Sequence, residues 1–166
     1  MLRSRYAAVL AAAWAAVLPG AVAAQAAASG LLPHRAVYDL QLKEASERSG
    51  IAGMAGRMVY EFMGSDCAGY TTNFRFVTEI DTGEAKRVTD QQTTTFEDVA
   101  AGKFRFETKS FTDEQMDKQI SGSATDKKDE LTVELSAPER REVTLADSRF
   151  PTAHMKEVID NARKGT

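Results

Sequence analysis

The sequence has few residues of the kinds that support metal or disulfide chemistry. Its 166 residues include one cysteine and two histidines. A single cysteine excludes any disulfide within the chain and any cysteine-rich metal cage. His154 and Glu157 have the i, i+3 spacing of two ligands on one helix, but a metal site usually needs three or four. A histidine on a helix surface is the simpler interpretation, and we expect neither a metal nor a cofactor.

An excess of basic charge and a long apolar run are also missing. The chain has 21 basic and 24 acidic residues, for a net charge of -3. Nothing in this balance favours nucleic acid as a partner. The apolar stretch at residues 6–18 ends at Pro19 and Gly20, short of the roughly 20 residues that cross a bilayer. We therefore do not expect an integral membrane protein.

The N-terminal segment predicts export. Arg3 and Arg5 precede the short apolar stretch, and small residues follow it at 21–24. This order of basic, apolar and small residues is typical of a secretory signal peptide. We predict that residues 1–24 are a signal peptide, cleaved near Ala24, and that the product is periplasmic. A retained membrane anchor is the alternative.

The rest of the chain alternates apolar and polar residues with the period of β-strands. The clearest case is 70–80, where aromatic and aliphatic residues alternate with polar ones, as in a half-buried strand. Turn-forming residues separate the candidate strands, which are 35–43, 54–62, 70–80, 86–97, 103–111, 116–125, 131–135 and 142–145. This pattern predicts a mainly β protein with an antiparallel sheet, curled or closed, in a single domain over residues 32–166. Gly53 and Gly56 predict a sharp bend in that sheet.

The C-terminal segment predicts one amphipathic helix. Thr152 is a candidate N-cap, and an apolar stripe follows at Met155, Val158, Ile159 and Ala162. We expect this helix to cover the concave face of the sheet. The residues predicted to line that face are Phe74, Phe76, Phe104, Phe106, Met155 and Ile159. Lys156 is expected to point into solvent.

No motif in the sequence indicates catalysis. Cys67 lies in a predicted turn over 65–69 that matches no nucleophile motif. Asp90, Glu97 and Asp98 fall among threonines and glutamines, which is typical of a solvated sheet face. We expect no enzyme activity. The alternative that stays open is a periplasmic hydrolase or thiol enzyme that uses Cys67.

Five segments resemble one known family. They are residues 32–40, 53–62, 73–78, 90–98 and 150–155. They are similar to the EipB-like family, which comprises periplasmic cell-envelope integrity proteins of alphaproteobacteria, long catalogued as a domain of unknown function. The resemblance runs from about residue 32 to 164. Family members are longer, so we expect the chain to be the N-terminal part of a longer domain.

The resemblance implies a fold and a role. The fold is a β-spiral, a strongly bent antiparallel sheet or half-barrel around a helix, similar to the lipoprotein carriers LolA and LolB and to RseB. The implied role is non-catalytic support of the cell envelope and the outer membrane, through a lipid, lipoprotein or protein partner. The family's disulfide uses a cysteine in the position of Cys67, and its second cysteine is absent from this sequence.

Overall fold

The computed structural model describes residues 30–127 and 130–166. Its strands are β1 (His34–Gln41), β2 (Gly53–Ser65), β3 (Gly69–Asp81), β4 (Lys86–Asp98), β5 (Lys103–Thr112), β6 (Gln115–Asp126), β7 (Glu130–Ala137) and β8 (Arg141–Ala146). A 3-10 helix, Glu47–Ser49, connects β1 to β2, and helix α1 (Pro151–Lys164) follows β8. The predicted signal peptide at 1–24 lies outside the described residues.

The eight strands form one sheet in which every strand is antiparallel to its neighbours in sequence, in the order β1 to β8. Within the described part of the chain, β1 and β8 do not pair, so the sheet is not closed into a barrel. The predicted fold class is confirmed: a mainly β protein with an open antiparallel sheet and one C-terminal helix.

The hairpin between β2 and β3 is tighter than the sequence suggests. Gly64 and Ser65 are turn-forming residues, and the predicted strand therefore ends at Phe62. In the structure, pairing continues to Ser65 opposite Gly69. Only residues 66–68 are left to make the turn, which brings Asp66 and Cys67 to one end of the sheet.

One face of the sheet carries most of its buried side chains. Directly opposed residues of antiparallel strands share a face, and one row crosses the sheet through Tyr70, Glu97, Phe104, Ala124 and Val133. Tyr70, Glu97 and Ala124 are buried. We call the face that contains this row the inner face and the opposite one the outer face.

Two glycines let neighbouring strands approach closely. A Cβ atom at Gly56 would lie 2.7 Å from the Val77 carbonyl oxygen, and one at Gly122 would lie 2.5 Å from that of Glu134. Both distances are too short for real contacts, so only glycine fits there without a shift of the backbone. A Cβ at Gly53, in contrast, would make only an ordinary contact with Asp81. The sharp bend at Gly53 and Gly56 stays a prediction.

Candidate helix anchor and inner face

A buried carboxylate from the sheet caps helix α1. Glu97 is 3% exposed, and its two carboxylate oxygens accept hydrogen bonds from the backbone N–H groups of Thr152 (2.8 Å) and Ala153 (3.2 Å). Pro151 has no N–H, and the N–H of His154 donates to the Phe150 carbonyl. All donors of the first helical turn are therefore satisfied, and a negative charge lies at the positive end of the helix dipole.

This arrangement corrects two expectations from the sequence. The N-cap residue is Phe150, not Thr152, and it has no capping side chain. Thr152 lies in the first turn, where it is buried. Glu97 is not on a solvated face, because it projects from the inner face directly beneath the helix terminus. Its role was missed because residues 90–98 read as an ordinary polar strand. The one available signal was Pro151, a residue typical of the first helical position, preceded by Phe150, which has no capping side chain.

An apolar cluster holds the same end of the helix. Phe150 stacks on Phe104, with ring centroids 5.4 Å apart, and is buried together with Ala124 and Leu131. Val133 packs against this cluster. The helix is thus joined to β5, β6 and β7 at its first turn.

A third contact ties the helix to the β2–β3 turn. The Lys156 ammonium group donates to Asp66 and lies 5.4 Å from the centroid of the Tyr70 ring. The Tyr70 hydroxyl also donates to Asp66, at 2.8 Å. The expectation that Lys156 points into solvent is wrong, because the helix start at Pro151 turns this residue toward the sheet. We call Glu97, Phe150, Lys156, Asp66 and Tyr70 the helix anchor.

Two side chains of the anchor have shifted pKa values. The hydrogen bond from Lys156, and next that from Tyr70, holds the pKa of the Asp66 carboxyl below its usual value. Burial, and next the hydrogen bond to Asp66, raises the pKa of the Tyr70 phenol. Asp66 is therefore charged at neutral pH and Tyr70 is neutral, so the ion pair with Lys156 is formed under ordinary conditions.

Beyond the anchor, aromatic rings cover much of the inner face. Phe62 stacks on Tyr70 with centroids 5.0 Å apart. The rings of Phe74 and Phe76 are 6.4 Å apart and those of Phe104 and Phe106 are 6.0 Å apart. The strand register places all four predicted phenylalanines on this face. Phe74 and Phe76 alternate along β3 with the same parity as Tyr70, and Phe106 lies two residues after Phe104 on β5. Each of the four is only partly buried.

Polar side chains on the inner face satisfy one another. The hydroxyls of Thr78 and Thr89 are 2.6 Å apart, and those of Thr93 and Thr108 are 3.0 Å apart. Paired hydroxyls cost little when they are removed from water. The face can therefore accept an apolar group across these threonines.

The helix covers this face less completely than expected. Met155 and Ile159 are partly buried, whereas Val158, in the same predicted stripe, is 52% exposed. The anchor fixes the N-terminal turn, and the last residues of the helix, from Asp160 onward, are all exposed.

The structure places the candidate thiol and shows whether metal ligands are grouped among the described residues. Cys67 is a free, exposed thiol in the β2–β3 turn, and none of the hydrogen bonds among the described residues includes its sulfur. No three His, Cys, Asp or Glu side chains in the described ranges are grouped closely enough to hold a metal ion. No helix in those ranges is long and apolar enough to cross a membrane.

The fold and the site define a class of protein: an open antiparallel meander whose C-terminal helix is capped by a buried sheet carboxylate. A family model described as EipB-like matches residues 25–166. The chain belongs to the EipB-like family, as the resemblance predicts.

Two matches from Brucella abortus, one to a curated protein and one to a crystal structure, support this assignment. The cell envelope integrity protein EipB of strain 2308 is 52% identical over 144 residues, which are 86% of this chain and 51% of that protein. A crystal structure of a β-barrel-like protein of a domain of unknown function matches with a TM-score of 0.77 and 52% identity, over 82% of this chain and 58% of that one. The chain thus spans little more than half the length of these relatives.

Proposed function

We propose that this chain is a non-catalytic periplasmic protein that supports the integrity of the cell envelope. The observation that carries the proposal is its 52% identity, over most of its length, to a protein named for cell envelope integrity. The sequence of residues 1–24, typical of a secretory signal, supports the periplasmic location.

We propose that the inner face is the surface that binds the lipid, lipoprotein or protein partner. It presents partly exposed rings, Phe74 and Phe76, beside threonine pairs whose hydroxyls are already satisfied. An acyl chain or an apolar segment of an envelope protein gains free energy by covering such a surface, at about 25 cal/mol for each Å² of apolar area removed from water. A lipid, a lipoprotein or a protein partner each presents such a group.

The envelope role is tested by deletion of the gene in its native host. We expect the deletion strain to be more sensitive to detergents that the outer membrane normally excludes, and the intact gene to restore resistance. A Cys67→Ser variant should restore it equally, since no catalytic thiol is proposed. Loss of rescue with wild-type abundance of Cys67→Ser would favour the thiol enzyme. Unchanged detergent sensitivity on deletion would overturn the envelope role.

Export is tested separately. Protein recovered from the periplasmic fraction should begin near residue 25 on N-terminal sequencing. An intact Met1 on membrane-bound protein would contradict the predicted cleavage near Ala24.

The role of the inner face is tested with Phe76→Ser, compared with the matched outer-face variant Val77→Ser. If the face binds an apolar ligand, Phe76→Ser should reduce both detergent resistance and the fluorescence of an apolar probe bound to the purified protein. Val77→Ser should change neither. Equal behaviour of the two variants would exclude the inner face as the binding surface.

A further inference from the structure

A cavity on the outer face collects charged side chains of both signs. It has a volume of about 630 Å³ and is lined by residues of β5, β6, β7 and β8 and of the turn between β7 and β8. Its charged lining residues are Arg105, Glu134, Arg140, Arg141 and Glu142. It is separate from the inner face and does not depend on the function proposed for that face.

These five charges are not paired with one another. No ion pair among the described residues includes any of them. Elsewhere on the outer face, opposite charges on neighbouring strands form ion pairs. Arg57 pairs with Asp39 directly opposite it (2.6 Å), and Arg75 pairs with Asp90 on the diagonal (2.8 Å). The charges that line the cavity are therefore available to a ligand, unlike those of these two ion pairs.

The strand register explains why the two carboxylates stay unpaired. Glu134 lies directly opposite Glu142 on β8 and opposite Ser123 on β6. Like charges directly opposed on one face of a sheet are destabilising. A positive group placed between them would relieve that repulsion, so this half of the cavity suits an ammonium group.

The arginines make the other half suitable for an anion. The Arg105 guanidinium lies 5.1 Å from the centroid of the Phe96 ring, which orients its donors at no cost to their hydrogen-bonding capacity. Arg140 lines the same cavity from the β7–β8 turn. Arg141, the first residue of β8, lies opposite Leu135 and therefore on the inner side of that strand. The guanidinium groups of Arg105 and Arg140 together offer more N–H donors than the two oxygens of one carboxylate use well, whereas a tetrahedral phosphate presents oxygens in several directions.

We propose that this cavity binds a zwitterionic phosphodiester, with the phosphate at Arg105 and Arg140 and an ammonium group at Glu134 and Glu142. Such a group occurs as an aminophospholipid headgroup and as the free headgroup released from that lipid. Both sources share the chemistry that the cavity recognises.

The test is an NMR titration of the ¹⁵N-labelled exported protein with glycerophosphoethanolamine. Dimethyl phosphate and ethanolamine serve as half-ligands. We expect the complete zwitterion to shift backbone amides of residues 134–136 and 140–142, and to bind about tenfold more tightly than either half-ligand. Equal binding of dimethyl phosphate and glycerophosphoethanolamine would overturn the proposed ammonium site, and no shifts at these amides would overturn the whole proposal.

Matched variants make the result specific. Arg140→Gln should weaken binding about tenfold, whereas Arg48→Gln, which removes the same charge from the β1–β2 connection, should leave it unchanged. Glu134→Gln should remove the preference for glycerophosphoethanolamine over dimethyl phosphate. Because it also removes the repulsion with Glu142, this variant should fold at least as stably as the wild type. Equal affinity in Arg140→Gln and Arg48→Gln would overturn the site.

Vesicles distinguish the two sources. Co-flotation with vesicles that contain phosphatidylethanolamine and phosphatidylglycerol, but not with phosphatidylglycerol alone, would assign the ligand to a lipid headgroup. Binding of free glycerophosphoethanolamine without co-flotation would assign it to the released headgroup. Either result supports the cavity as the binding site.

Discussion

Replacement of Glu97 by alanine is expected to release helix α1 from the sheet. The carboxylate is 3% exposed and accepts the N–H groups of Thr152 and Ala153 at 2.8 and 3.2 Å. Alanine leaves both donors without a partner at a site where Thr152 is itself buried. The first turn of the helix then has neither its cap nor its favourable dipole interaction.

The size of the effect follows from these contacts. A hydrogen bond to a charged group contributes about 1.5–3 kcal/mol to stability. The longer of the two bonds should contribute an amount near the lower end of this range. Water that enters the vacated space recovers part of the loss. We expect Glu97→Ala to lower the free energy of unfolding by about 2–4 kcal/mol. Glu97→Gln, whose amide oxygen can still accept one N–H, should cost about half as much.

Hydrogen exchange separates local release from global unfolding. The amides of Thr152 and Ala153 should lose protection in Glu97→Ala, while amides in the centre of β3 keep most of theirs. Glu84→Gln is the matched control, because Glu84 is an exposed carboxylate in the β3–β4 turn; it should change stability by less than about 0.5 kcal/mol. If Glu97→Ala and Glu84→Gln have equal effects, Glu97 does not anchor the helix.

Three further predictions concern the anchor and its turn. Phe150→Ala removes a buried ring from its stack on Phe104 and should lower the free energy of unfolding, measured with denaturant, by about 3 kcal/mol. Val158→Ala should lower it by less than about 0.5 kcal/mol. Similar values for the two variants would mean that the helix is not held at its start. The Asp66 pKa is lowered in the folded state, so Asp66 contributes stability that is present above the usual carboxyl pKa and lost as the pH falls through the lowered value. Asp66→Asn should therefore reduce the difference in stability between neutral pH and pH about 3, and an unchanged difference would refute this linkage. Cys67, free and exposed, should form a reductant-sensitive dimer on non-reducing gels after oxidation, and a monomer that resists alkylation even when unfolded would contradict a free thiol.

The anchor also changes how a test of the helix must be designed. On the basis of the sequence, Lys156→Ala would serve as the exposed control for a substitution in the apolar stripe, such as Ile159→Ala. In the structure, Lys156 bonds to Asp66 and lies over Tyr70, so Lys156→Ala should itself destabilise the helix. Glu157, which is exposed, is the better control for Ile159→Ala.

Sequence alone determined the order and type of the elements, because each depends on local periodicity. Alternation of apolar and polar residues defined the strands and the inner face of Phe74 and Phe104, and 3.6-residue spacing defined the helix. Strand ends were less well determined, since Gly64 and Ser65 suit a turn as well as the tight hairpin that the structure contains.

Only the tertiary structure decided which polar residues matter. Glu97 and Thr152, at the N-terminus of α1, are 55 residues apart. Nothing in the sequence near Glu97 indicates that a helix will begin above it. The same holds for the contact between Lys156 and Asp66, and for Glu134, which lies opposite Glu142 on the neighbouring strand. Periodicity tells which face a residue occupies. The register of the sheet and the position of the helix, both products of long-range packing, decide which side chain it will meet there.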